Sequence, residues 1–442
     1  MSEQPSSPAP DQGHRRNKPS ITRSTRPRSS TKGPLDADNG MLTSPTASAS
    51  QLSPSLQPPS RSSSANNTAQ PRPPPSPTPQ LGEARPKDFT FLLQPEIYHP
   101  LNVQNIPPAF RNSPKQPNSE TPIDELLAKG HFRAAAIAAA QELTGSTING
   151  TSIDPQDASR IFRLLYTRLA CLTLIDATSL AAQEAKALED LNDARRYIDD
   201  NTNEHLVPWE LRVLHVRLQA LGFGDPRRAV MSYHDLAREA RDRIRKASLS
   251  HDNSARELWK SRLHELGIKV AGALIEMDDL SGAAHHLNSL RDRGDGKLAL
   301  SKALLWLHLG DIGNAKLCAS QCSEDTENVE KLILALCDMA DSNYEAALQK
   351  WQEFDITITD EMIGVNQAVC LIYLGRIQEG RNILEKLVDS GLSSHTLLFN
   401  LSTTYELCSE RNRILKGRLT EKVANMEQSP FGWEKTNADF KL

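Results

Sequence analysis

Downstream of residue 121 the apolar positions follow a helical period, and the helices they predict recur in pairs. Turns between them can be aligned at Gly130–Ala135, Gly224–Ala229, Asp278–Ala283, Gly310–Ala315, Ser342–Ala347 and Gly375–Gly380, with a weaker member at Asp176–Ala181. Each of the six stronger turns opens on a turn-forming residue, places an aliphatic or aromatic residue third (Pro226 in one) and reaches a small residue five positions after its start. The last four openings are 32, 32 and 33 residues apart (278, 310, 342, 375). Small residues also stand seven positions before these turns, at Ala271, Ala303, Ala335 and Ala368, where two helices are expected to come closest. Nine positions after them, Leu287, Ala319, Trp351 and Leu384 are expected to fill the gap to the next pair.

Two antiparallel helices in about 34 residues, crossing on small side chains, define the tetratricopeptide unit. The predicted fold is therefore all-α, a tetratricopeptide-type solenoid of about 7–8 helix pairs. It is expected over residues 121–428. The upstream turns at 130, 176, 224 and 278 are 46, 48 and 54 apart, which calls for longer helices or for insertions at 145–157, 193–204 and 247–254. After Gly375, segments 396–409 and 414–426 predict a closing pair with the polar outer face an open stack requires.

Proline marks where the helices begin. Of 28 prolines, 24 lie at or before Pro122, and a helix interior tolerates proline poorly, at about 3 kcal/mol. Residues 1–86 are Ser, Pro, Thr and Arg with little to bury, and are expected to form a disordered basic tail. The run Pro71–Pro79 has the sequence of a polyproline II segment, and Ser44, Ser53, Ser76 and Thr78 precede proline as phosphorylation candidates. Residues 87–120 differ, with Phe89, Phe91, Leu92, Leu93, Ile97 and Tyr98 close together between prolines. They read as an extended strap on the solenoid or as a linear motif that docks on a partner. Residues 429–442 are expected to be a C-terminal tail.

Charge separates the parts further. The net charge is −4, and residues 1–86 hold ten Lys or Arg against five acids, so the remainder carries −4 − 5 = −9. A mildly acidic array lacks the clustered basic face that nucleic acid needs. Of six cysteines, none forms a CxxC; Cys318 and Cys322 share one helix face, and buried small side chains are the plainer reading. No phosphate loop, GxSxG or HExxH occurs, and adjacent His285 and His286 point about 100° apart on a helix. The chain predicts no catalytic residue, cofactor or metal, and with neither a long apolar run nor a signal peptide it is expected in the cytoplasm.

Two strings carry a more specific likeness: Asn366–Gly375 (NQAVCLIYLG) and Leu398–Leu407 (LFNLSTTYEL), the latter followed by a basic helical stretch. Both resemble the subunit 12 family of the transport protein particle (TRAPP) complex, with weaker counterparts at Phe132–Ala135, Leu164–Leu174 and Leu206–Arg212. The resemblance covers roughly residues 121–425, and the Ser/Pro tail has no counterpart in it. It implies a non-catalytic scaffold in a vesicle-tethering, Rab guanine-nucleotide-exchange complex of ER-to-Golgi and autophagy-linked traffic. The implied partners are neighbouring subunits and, indirectly, a Rab-family GTPase and Golgi or early secretory membranes. Candidate partner-binding residues are Phe91, Leu93 and Tyr98 in the strap and Phe399, Asn400 and Tyr405 near the C-terminus, where sealing the stack is the competing role. The rival function is a tetratricopeptide co-chaperone or peptide-binding adaptor, although Lys302 and Lys331 are the exceptions among the Leu, Ala, Ser and His of the later first helices.

Overall fold

Every aligned turn is a place where one helix stops and the next begins. A computed structural model of the chain describes residues 87–442 apart from 148–149, 151, 291–295, 321–326 and 355–359. The tail 1–86, with its polyproline run, and Cys322 lie outside the described residues. After a four-residue helix α1 (Pro108–Arg111), the helices pair as α2 (Ile123–Ala128) with α3 (Phe132–Leu143) and α4 (Ala158–Leu174) with α5 (Thr178–Ala185). A short α6 (Ala194–Tyr197) precedes α7 (Trp209–Phe223) with α8 (Pro226–Leu249), then α9 (Asn253–Glu276) with α10 (Leu280–Ser289). The later pairs are α11 (Gly296–His308) with α12 (Ile312–Ser320), and α13 (Glu327–Ala340) with α14 (Tyr344–Gln352). They end in α15 (Glu361–Tyr373) with α16 (Ile377–Asp389) and α17 (His395–Cys408) with α18 (Asn412–Ala424).

All seven aligned openings adopt left-handed backbone: Gly130, Asp176, Gly224, Asp278, Gly310, Ser342 and Gly375 have φ between 58° and 79°. A residue in this conformation ends a helix because it turns the chain out of the i to i−4 register. The next residue often caps the following helix. Asp279 Oδ1 accepts from Gly282 N at 2.9 Å, and Asp311 Oδ1 accepts from Asn314 N at 2.9 Å.

The small residues lie where the helices cross. Ala135, Ala181, Ala229, Ala283, Ala315 and Ala347 are buried, as are Ala271, Ala303, Ala335 and Ala368. At the last turn the approach is tighter still: a Cβ on Gly380 would meet Ala368 O at 2.9 Å and Ile372 Cγ1 at 3.1 Å. Leu287, Ala319, Trp351 and Leu384 fill the seams between pairs and are also buried. Trp351 takes its place with Gln367 Nε2 donating to its carbonyl at 2.8 Å.

The long upstream spacing has a different source from the one offered for 247–254. That stretch is no insertion; it is a tight reversal between α8 and α9, each 24 residues long. Segments 145–157 and 193–204 do intervene between helices, the latter containing α6 and an isolated bridge between Ile198 and His205. The end of the array also differs from the open, polar-capped stack expected. Ile106 and Phe110 from the N-terminal strap, with Trp433 and Phe440 from beyond α18, join the core of the last two pairs. Covering that end removes the need for a polar outer face, and the two ends of the array meet.

Candidate functional site

The strap is held by one buried ion pair. Arg168 on α4 and Glu184 on α5 have side chains only 2% and 0% exposed and are paired through Nη2 and Oε1 at 2.6 Å and Nε and Oε2 at 2.9 Å. Two further guanidinium hydrogens go to the backbone, from Nη1 to Ala136 O at 3.1 Å and from Nη2 to His99 O at 2.8 Å, while His99 N donates to Glu184 Oε1 at 2.9 Å. Charge, helix and strap thus bond to one another in a buried setting. Ahead of His99, Phe89 is buried edge-on to Phe162 at 4.9 Å, and Phe89 N donates to Pro155 O at 3.0 Å.

The six residues singled out in the sequence fall in two groups. Phe91 is half-buried under the Arg196 guanidinium at 4.8 Å, and Leu93 is half-buried beside the same core. Tyr98 donates its hydroxyl to Leu92 O at 2.6 Å, and burial pushes the phenol pKa well up. Phe399 is 41% exposed, with the Lys441 ammonium 5.2 Å above its ring. Asn400 bonds back to Thr396 O within α17. Tyr405 is buried, its hydroxyl on Glu385 Oε1 at 3.0 Å. The structure places the first trio in the strap and the second on α17, where Phe399 faces outward and Tyr405 inward.

Sequence reasoning passed over the residues that join the ends. Trp433 is buried, donating N to Gly130 O at 3.1 Å and Nε1 to Ala424 O at 3.3 Å, with the rings of His131 at 5.1 Å and Phe110 at 5.3 Å. Arg133 bridges to Glu434 at 2.6 Å, both about one-tenth exposed, and donates to Asn102 O at 2.9 Å. Lys115 caps the last helix from outside, its Nζ donating to Asn425 O at 2.8 Å and Met426 O at 2.6 Å, where the helix dipole favours a cation. Burial first, then Lys129, lowers the pKa of His131, which lies 2.9 Å from the Gln428 amide. The available signal was the density of Phe431, Trp433 and Phe440 within the fourteen residues 429–442. Beside this junction Val103, Ile106, Ala134 and Ile137 line a cleft of about 370 Å³ walled by Arg133 and Glu434.

A larger cleft of about 630 Å³ lies among α4, α7, α8 and α9, lined by Tyr166, Trp209 and Tyr233. Its charges are matched within it: Arg262 with Glu210 at 3.1 Å, Lys269 with Glu265 at 3.2 Å, and Arg217 with Glu276. Arg262 covers the edge-to-face pair of Trp209 and Trp259 at 5.2 and 4.7 Å. Cys171, Cys318, Cys337 and Cys370 are buried thiols; burial pushes Cys171 up to about 12 and Cys370 to about 11. Among the described residues no group of three His, Cys, Asp or Glu is placed to hold a metal, and no helix is long and apolar enough to cross a membrane.

The helices and their crossings define a tetratricopeptide-type α-solenoid protein. Its sequence is similar to trafficking protein particle complex subunit 12 of Mus musculus and of Homo sapiens, at 24% identity over 70% of this chain in each case. The chain spans less than half the length of those relatives, 43% and 47%. No family model matches it. A tetratricopeptide repeat protein from Parabacteroides merdae superposes with a TM-score of 0.34 at 13% identity, over 59% of this chain and 90% of its own. The tetratricopeptide domain of P58(IPK) does so with a TM-score of 0.19 at 11% identity, over 68% and 89%.

Proposed function

We propose that the chain is a non-catalytic scaffold subunit of a TRAPP-type tethering complex. The complex would promote nucleotide exchange on a Rab-family GTPase in ER-to-Golgi and autophagy-linked traffic. The observation that carries the reading is the similarity to subunit 12 over 70% of the chain. In this reading the chain works at the cytoplasmic face of Golgi and early secretory membranes, and its contacts are with neighbouring subunits rather than with nucleic acid. An interface of about 1,600 Å² in total suffices for such a subunit, and the outer faces of three or four helices supply it. Phe399, which presents the most surface of the six candidate residues, contacts a partner together with Asn400. Phe91 and Leu93 form a second contact, and Tyr98 and Tyr405 hold the two backbones in place. The domains follow the same division: tail 1–86, strap 87–120, solenoid 121–428 and C-terminal tail 429–442.

Gentle purification of the tagged chain from its native cells, followed by mass spectrometry, tests this. Near-stoichiometric recovery of small TRAPP core subunits is the expected result. Recovery of chaperones, or of no partner, overturns it.

A further inference from the structure

Charge is unevenly spread over the array. Residues 226–262, covering α8 and the first part of α9, hold ten Lys or Arg against five acids, a net of +5. Residues 87–442 carry −9, so the rest of them carries −9 − 5 = −14. Within this basic hairpin the outer face of α8 is a single stripe. Arg227, Met231, Arg238, Arg241, Arg245 and Leu249 recur at spacings of three, four and seven and are all exposed, Met231 by 70% and Leu249 by 78%. From Arg227 to Leu249 the stripe is about 33 Å long at 1.5 Å per residue. The opposite face is used up inside the fold, where Ala229, Tyr233, Leu236, Ala237 and Ala240 are buried. Beyond it, residues 248–254 at the reversal are all exposed, so the tip stands clear of the neighbouring pairs.

We infer that this stripe is a docking surface for an anionic lipid bilayer. Arginine matches phosphate with paired N–H donors and is weakly hydrated. Arg238 and Arg245 pair with Asp235 and Asp242 one turn away, but both pairs are exposed and such pairs exchange readily for another anion. Among the described residues Arg241 and Lys246 have no ion-pair partner. Met231 and Leu249 have no use inside the fold, since their helix already buries its other side; on a bilayer they reach the acyl boundary between the arginines. A line of dispersed cations with interleaved apolar side chains suits a continuous sheet of phosphates. The negative charge elsewhere then orients the array with this hairpin toward the membrane.

The inference is independent of complex membership, because its test uses the full chain alone. The chain is sedimented with phosphatidylcholine vesicles lacking or containing about 30% phosphatidylserine, in about 0.1 M salt. Binding is expected only to the anionic vesicles. In the triple variant Arg241→Glu, Arg245→Glu, Lys246→Glu it should fall by about tenfold or more. A smaller loss overturns the assignment, as does binding that follows instead reversal of the tail residues Arg23, Arg26 and Arg28. No vesicle binding, with saturable capture of polyglutamate that the triple variant loses, also overturns it and points to an acidic protein. Should the reversed chain fail to fold, Arg241→Gln, Arg245→Gln, Lys246→Gln carries the same readout.

Discussion

Gly130 and Gly310 occupy the same position in their repeats and almost the same backbone conformation, at φ 72° and 79°. They do different work. A Cβ on Gly310 would meet nothing within 4 Å, whereas one on Gly130 would meet Ser429 O at 2.2 Å and the Gly432 backbone at 2.7 Å. In the regular run from Asp278 to Gly375 a turn glycine serves only its own turn. At the first pair it also makes room for the chain's other end. A repeat motif therefore specifies local geometry and leaves the closure of the array to residues outside the motif.

The largest expected effect lies at the irregular end. Arg168→Ala leaves Glu184 buried without its counter-charge and frees His99 O, at a cost of about 3–5 kcal/mol. Urea unfolding measures the loss, and hydrogen exchange should show Phe89 to His99 released. A stability within about 1 kcal/mol of the parent would mean that the pair does not hold the strap.

Gly130→Ala and Gly310→Ala sharpen the comparison directly. The second should cost about 1 kcal/mol, the penalty for a Cβ in left-handed backbone, with no local opening. The first adds backbone overlap, for about 3 kcal/mol in all. Proteolysis should then remove residues 429–442 from the Gly130 variant and spare them in the Gly310 variant. Equal stability and equal proteolysis would abolish the distinction between the two turns.

Acid strikes the first half as well. Burial, the largest influence on it, lowers His215 to about 4, and among the described residues its Nε2 is enclosed without a partner. With an unfolded value near 6.5, the unfolded chain binds the proton first as pH falls. The stability this neutral imidazole contributes is therefore complete above about pH 6.5 and is lost toward pH 4. His215→Gln should flatten that part of the stability curve, by an amount on the order of 2 kcal/mol between the two pH values. A parent curve without that slope would show that the buried site is hydrated.

The regular half was legible because its signals are local. A left-handed turn, a small residue at each crossing and an apolar one at each seam all lie within seventeen residues, Ala335 to Trp351 for instance. Junction contacts are different in kind. Arg133 and Glu434 are 301 residues apart, and no periodicity links them. What the sequence did carry was unexplained apolar density at Phe110, Trp433 and Phe440, each now buried. The strap residues Phe91, Leu93 and Tyr98 drew notice for the same reason, whereas the anchoring pair did not, since Arg168 and Glu184 sit where a surface charge would be unremarked. The double length of α8 and α9 was likewise hidden, because a polar reversal at 247–254 reads like an insertion.

Ser342 supplies the smallest and most discriminating measurement. It stands in the regular run at φ 62°, where Gly310 and Gly375 take 79°, and a non-glycine residue in that region costs about 1–2 kcal/mol. Ser342→Gly removes this strain but gives the unfolded chain more freedom, so the net gain should be only about 0.5–1 kcal/mol. That gain is the mirror image of the loss at Gly310→Ala, and both should appear as a shift in melting temperature with hydrogen exchange at residues 429–442 unchanged. If Ser342→Gly instead altered protection at the junction, the regular run would not be energetically separate from the closure, and the two halves would have to be treated as one cooperative circuit.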